Sequence, residues 1–271
     1  MSQRSLSLPA ARPKDKHHAA GIASRLFLGR ESLIVWLVIL AGWYLLTFHN
    51  DASRNPLLPS PWVVGSALLQ SLPELLSSAF ASSKILIPGY LLAVALAIPF
   101  GLLVGTRTPL QRAFIPFARV AAPVPPTVYI PYAIAVLPTF HLSAVFIVFI
   151  GAFWPIFHNT ALGASSTPQS WKDSAKIMQL GRIEYLLRIV LPASLPQIFS
   201  GLGVGLVFAF ILLTIAELFG AVEGLGRFVQ IHADYANYPQ MLAGILFTGA
   251  IAASCMSGLE ALRRRVLFWY R

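Results

Sequence analysis

The chain has 271 residues, of which 56% are hydrophobic and 11% charged, with a mean hydropathy of +0.70; ordinary soluble domains carry roughly a quarter of charged residues. The apolar residues fall in long uncharged blocks. This excludes a conventional soluble core and points to an all-α polytopic membrane protein, buried by lipid and by neighbouring helices. The 20 Lys and Arg against 10 Asp and Glu give a net charge of +10. They form no stripe, so no nucleic acid is expected as a partner, and the lone Cys255 rules out an intrachain disulfide or a cysteine-based metal site.

Residues 1–31 carry Arg4, Arg12, Lys14, Lys16, His17 and His18, with little apolar content before Leu26, and read as a cytoplasmic tail. A signal peptide is the competing reading, but no small-x-small cleavage site directly follows the apolar run that starts at Leu33. Six stretches can cross hydrocarbon, or nearly so: 32–48, 85–104, 120–137, 142–162, 201–220 and 241–259. Between the first two, Leu58-Pro59-Ser60-Pro61 precedes Val64, Leu68, Leu72, Leu75 and Ala79 on one helical face, which predicts a helix lying on the outer interface within 49–84. With both termini cytoplasmic, 17 of the 20 Lys and Arg lie inside and only Arg54, Lys84 and Arg227 outside, the bias that sets orientation in a membrane. Arg263-Arg264-Arg265 in the basic end, 263–271, reads as a charged stop in contact with anionic membrane lipid.

The third span holds Pro123, Pro125, Pro126 and Pro131, with Pro138 close behind. No continuous helix tolerates that density. Irregular backbone at membrane depth survives only against protein or a water-filled cavity. Pro125 and Pro126 therefore mark either a broken helix beside a translocation path or a kink held by packing. In the fourth span, His158, Asn159 and Thr160 read as a hydrogen-bonded packing cluster, with no further ligands nearby to make a metal site. Glu217 is the only formal charge in any span, about 24 Å from Gly201 at helical rise and so toward the outer end. Both an interfacial carboxylate reaching water or headgroups and a group engaged in gating or helix packing fit it.

The longest inside connection, 163–200, is not a random loop. Residues 171–190 are rich in helix formers, with Ile177, Leu180, Leu187 and Leu191 apolar and Lys172, Lys176, Arg182, Glu184 and Arg188 polar. Glu184 and Arg188 are spaced for a helical ion pair, acid first. Leu191-Pro192-Ala193-Ser194-Leu195-Pro196 is expected to end one helix and start the next. One or two short helices docked under the membrane follow.

Asp173-Ser174-Ala175, then Ile189, Leu191 and Pro192, followed by Leu195-Pro196-Gln197-Ile198 and Ser200-Gly201-Leu202, resemble the cytoplasmic EAA loop of binding-protein-dependent ABC importer permeases. The family pattern is Glu-Ala-Ala, three residues, Gly, nine residues, Ile, one residue, Leu-Pro. Here Asp173 stands for Glu, Ser174 for the first Ala and Gln179 for Gly; Gly181 is the alternative source of the helix break. Phe153-Trp154-Pro155-Ile156, Asn159-Thr160, Ala216-Glu217 and Gly224-Leu225-Gly226 are similar to the nitrate, sulfonate and taurine branch.

The resemblance implies a type I ABC importer permease fold: six transmembrane helices in a bacterial inner membrane, with a first helix at 32–48 and a core at 85–262 that includes the loop. It also implies ATPase-coupling roles for Asp173, Ser174, Ala175, Gln179, Gly181, Leu191 and Pro192. The implied partners are ABC ATPase subunits, an extracytoplasmic solute-binding protein and a second permease copy. The chain itself is expected to be no enzyme and to need no cofactor. No Gly-x-x-x-x-Gly-Lys-Ser/Thr stretch occurs, and no lysine follows a glycine, so ATP and Mg belong to the partner. With Glu217 repelling anions, direct substrate contact is not expected of it. A secondary transporter or channel is the alternative, although carriers of that kind usually set several ionisable groups in their spans. An intramembrane enzyme lacks any recognisable catalytic motif here.

Overall fold

The computed structural model describes residues 30–48, 57–121 and 124–269. The described residues are helical, in the chain order α1 (Arg30–Phe48), α2 (Pro61–Gln70), α3 (Leu72–Thr106), α4 (Thr108–Ala121), a 3₁₀ turn (Pro126–Tyr129), α5 (Ile130–Val136), α6 (Phe140–Ser165), α7 (Gln169–Ile177), α8 (Arg182–Tyr185), a π-helical turn (Leu186–Val190), α9 (Leu191–Gly220), α10 (Leu225–Asp234) and α11 (Tyr238–Val266). Among the described residues, four helical stretches are long and apolar enough to cross a membrane: 72–106, 140–165, 182–220 and 238–266. The first expected span is a shorter apolar helix, Leu33–Thr47.

The centre is α6, gripped by α3 on one side and α9 on the other. Hydrophobicity cannot drive that association in lipid, so close backbone approach through small residues must. Gly89, Ala93, Ala97, Gly101 and Gly105 recur every four residues along α3, and all are buried. A Cβ added at Gly101 would lie 2.7 Å from Thr160 Cβ, and one at Gly205 of α9 would lie 2.9 Å from Ile156 Cγ1, both on α6. Buried Phe157 fills the space beside them, stacked on Phe100 at 5.1 Å. The Tyr90 hydroxyl donates to Leu202 O at 2.8 Å and ties α3 to α9.

Two local expectations change. The amphipathic stretch from Val64 to Ala79 is not one interfacial helix: α2 ends at Gln70, and Leu72 already begins the 35-residue α3. Its shared face is covered by protein, Val64 packing with Ala243, and Leu75 with Leu225 and Phe228. The third expected span is interrupted, as its prolines predict: α4 ends at Ala121, and a 3₁₀ turn and the seven-residue α5 follow Pro125. Ser143 of α6 donates to Ala133 O at 3.0 Å, a carbonyl that also accepts the Leu137 N–H at 2.9 Å, and so ties α5 to α6. Pro123 lies outside the described residues.

The second change is at Leu191-Pro192. Proline does not separate two helices there, because α8, the π-helical turn and α9 run on as one 39-residue stretch, Arg182–Gly220. The wider π turn directly before Pro192 accommodates a residue that lacks an N–H and would clash with the preceding turn of a regular helix. At 1.5 Å per residue this stretch is about 58 Å long, well beyond the ~30 Å of hydrocarbon.

Candidate functional site

Of the residues the family resemblance singled out, Asp173, Ser174 and Ala175 lie on α7, and Gln179 and Gly181 in the turn that joins it to α8. Asp173 is exposed on α7, where its Oδ1 accepts from Gln169 Nε2 at 3.0 Å and pairs with Lys176 Nζ at 3.3 Å. The Ser174 hydroxyl donates back to Ser170 O at 2.9 Å. Ala175 is the buried residue of this helix. Leu191 and Pro192 are not on the turn; Leu191 packs with Leu102, Val190 and Ile198 under α3.

The break between α7 and α8 is set by backbone geometry. Gln179 has φ of +54°. Its N–H donates to Lys176 O at 3.0 Å, while the N–H of Leu180 donates to Ala175 O at 3.2 Å. That pair of bonds is a Schellman C-cap, in which the left-handed position usually belongs to glycine. Gly181, by contrast, sits at φ −63°, ψ 160° ahead of α8. The helix therefore turns at Gln179, the position where the family pattern has glycine, and the alternative break at Gly181 falls away.

The turn leaves a mixed surface. Ile177, Met178 and Ile183 are 83%, 66% and 74% exposed. Beside them a groove of about 390 Å³ is lined by Gln169, Lys172, Ala175, Lys176, Leu180, Arg182 and Tyr185. The expected pair Glu184–Arg188 is formed at 2.9 Å. Large apolar side chains thus stand exposed beside Lys172, Lys176 and Arg182 at the end of a helix.

Glu217 lies at the opposite end of the same long helix. It is fully buried, so the interfacial reading fails. The Ser82 hydroxyl of α3 donates to Glu217 Oε1 at 2.5 Å, and the Gly226 N–H donates to Oε2 at 2.7 Å. Ser82 Oγ also accepts the Leu225 N–H at 2.9 Å. Both amides belong to the first turn of α10, whose preceding residue, Gly224, has no side chain to cap it. Glu217 and Ser82 together supply the missing cap, and a carboxylate at a helix N-terminus is electrostatically favourable. Gly224 has φ of +141°, and a Cβ there would come within 2.5 Å of the Glu217 carboxyl carbon. Sequence reasoning found Glu217 but not Ser82. The available signal was that Ser78 and Ser82 lie about three and two turns before Gly89, on the line of the buried small-residue stripe of α3.

Pro125 precedes the 3₁₀ turn and Pro126 opens it, with the Val128 N–H donating to Pro125 O at 3.0 Å. These prolines are not brought near Glu217 by any described contact. The segment they start packs through Ile130 and Ala133 on Ile147 and Leu212, while Val128, Tyr132 and Val136 form an exposed face. His158 is exposed on α6, and Asn159 and Thr160 bond back to Pro155 O and Ile156 O of their own helix. The expected cluster of the three is thus replaced by bonds within one helix, the nearest acceptors for short polar side chains.

Known proteins agree with this architecture. A nitrate import permease protein, NrtB, of Leptolyngbya laminosa is 29% identical over 227 residues, 80% of each chain. A putative ABC transporter permease protein of Methanocaldococcus jannaschii is 28% identical over 263 residues, 93% of this chain and 97% of that one. The bicarbonate transport system permease protein CmpB of Synechococcus elongatus is 29% identical over 181 residues, 66% of this chain and 65% of its own. Residues 97–268, which hold the α7–α8 turn, the long α8–α9 stretch and Glu217, match the family of binding-protein-dependent transport system inner membrane components, and the chain belongs to that family.

Proposed function

We propose that this permease, working with ABC ATPase subunits and an extracytoplasmic binding protein, imports a small planar oxyanion of the nitrate or bicarbonate kind. The substrate class rests on the relatives, whose names point to two anions of similar size, charge and trigonal shape. The single observation that supports ATP-driven coupling is the exposed apolar and basic surface around Gln179, carried on a helix that continues through the membrane. A second copy of the chain completes the pathway, both termini face the cytoplasm, and lipid surrounds the rest. ATP and Mg bind the ATPase; this chain contributes the lever.

In this reading Asp173, Ser174 and Ala175 on α7, with Gln179 and Gly181 in the turn, meet the ATPase, while Leu191 and Pro192 hold the root of the lever. Pro125 and Pro126 shape the irregular segment beside the translocation path. The test is uptake of isotopically labelled nitrate and bicarbonate by vesicles holding the permease with its ATPase and binding protein, with and without ATP. Asp173→Lys places a third cation between Lys172 and Lys176 and removes the acceptor that holds Gln169 and Lys176. It should abolish ATP-driven uptake while the protein still inserts. Normal uptake and normal co-purification of the ATPase with this variant would sink the coupling assignment.

A further inference from the structure

We propose that Glu217 and Ser82 form a positioning latch that locks the segment from Ala221 to α10 onto α3 and α9, so that α10 and the cytoplasmic turn move as the two ends of one lever. The inference rests on the importer reading above and goes beyond it by assigning these two residues a role.

Four observations carry it. The first is capping: the two leading amides of α10, those of Leu225 and Gly226, donate to Ser82 and Glu217, and both side chains are buried. The second is exclusivity of fit. Gly224 and Gly226 leave room for the carboxylate, since a Cβ on Gly226 would lie 2.7 Å from Thr214 O and 3.0 Å from Glu217 Cβ. The third is that the latch spans three helices. Ser82 comes from α3, Glu217 from the last turn of α9, and the amides from α10, while Leu75, Leu225 and Phe228 form an apolar cluster next to it. The fourth is continuity: the helix that carries Glu217 runs unbroken to Arg182, beside the coupling turn.

A buried carboxylate used only to fill space would be replaced to advantage by an apolar side chain, because burying an ion is costly. A carboxylate that fixes the register of three helices is worth that cost, since each of its acceptors can be satisfied in one arrangement only. Tilting α9 then carries α10 with it, and load applied to α10 is delivered to α9 rather than absorbed in the Ala221–Gly224 link.

The experiment uses the full permease co-purified with its ATPase in lipid nanodiscs. Val222, which is 90% exposed in the link to α10, is replaced by cysteine in a Cys255→Ala background, and labelling by a membrane-impermeant maleimide is followed with no nucleotide and after trapping with ATP and vanadate. With the latch intact, trapping should change the labelling rate at least about fivefold, the low end of coupling between distant sites. Ser82→Ala removes one bond to Glu217 and orphans the Leu225 amide, and should erase that change at equal abundance of folded complex. Glu217→Gln is the conservative control: the amide oxygen still accepts from Gly226, and its NH₂ can donate to Ser82 Oγ, so most of the nucleotide response should return. A full response in both Ser82→Ala and Glu217→Ala would overturn the latch while leaving the importer reading intact. A parent complex that labels identically with and without trapped nucleotide would overturn the coupling reading, and the latch with it.

Discussion

Replacing Gln179 by glycine should tighten the coupling turn, and the size of the effect can be worked from its backbone. An L-residue held in the left-handed region costs about 1–2 kcal/mol, and glutamine lacks the short side chain that eases this for asparagine. Glycine removes that strain but gains freedom in the open state, which takes back about 0.4–1 kcal/mol. The net gain is about 0.5–1 kcal/mol, which corresponds to roughly a two- to fivefold smaller population of the open turn. The reporters are the amides of Gln179 and Leu180, which donate to Lys176 O and Ala175 O across the turn. Hydrogen exchange of the peptide containing them, in the intact permease, should slow by that factor in Gln179→Gly. Gly181→Ala serves as the matched control. Its φ of −63° suits any residue, and nothing lies within 4 Å of an added Cβ, so it should be neutral or slightly protective. Faster exchange in Gln179→Gly, together with a destabilised Gly181→Ala, would refute the assignment of the helix break to Gln179.

A Gly-Gly insertion after Ile183 interrupts the root of the long helix, costs about 2 kcal/mol of helix propensity and shifts the register of the π turn. It should leave a permease that reaches the membrane but no longer stimulates its ATPase, and undiminished stimulation would make the turn a passive tether. Gly101→Val forces a branched side chain against Thr160 and should destabilise the α3–α6 pair by about 1–3 kcal/mol, read as reduced membrane abundance and a lower melting temperature in detergent; Gly203→Val, whose added Cβ would find its nearest neighbour, Met256 Sδ, at 4.0 Å, should be tolerated. Reporter fusions at Ser2 and Arg271 should both register on the cytoplasmic side, and an external signal from either would break the even-span topology.

Much of the fold was legible because the bilayer simplifies the problem. Uninterrupted apolarity marks crossing segments whatever their neighbours are, and the helices at 140–165 and 238–266 enclose the stretches expected from composition. Proline density likewise announced the broken region after α4, since a missing N–H and a fixed φ are properties of the residue itself. The Glu184–Arg188 pair formed as spaced, because four residues along a helix is a local relation. Where α3 begins was not legible in this way: Leu72, Leu75 and Ala79 look amphipathic alone, and only the packing of α10 and α11 against them decides that they continue a span.

Pro192 shows the same limit from the other side. As a residue it argues for a helix end, but the helix it enters can widen into a π turn, and packing of Leu191, Ile198 and Val190 under Leu102 holds that alternative in place. Glu217 was conspicuous in the sequence as a lone charge in an apolar span, yet its meaning lay in Ser82, 135 residues away, and in two amides of another helix. Sequence alone determined which stretches are apolar enough for lipid and where a helix is prone to falter, because those follow from the solvation and backbone of single residues. The tertiary structure decided which faltering points are bridged and which buried group is satisfied by whom, because those energies exist only between segments distant in the chain.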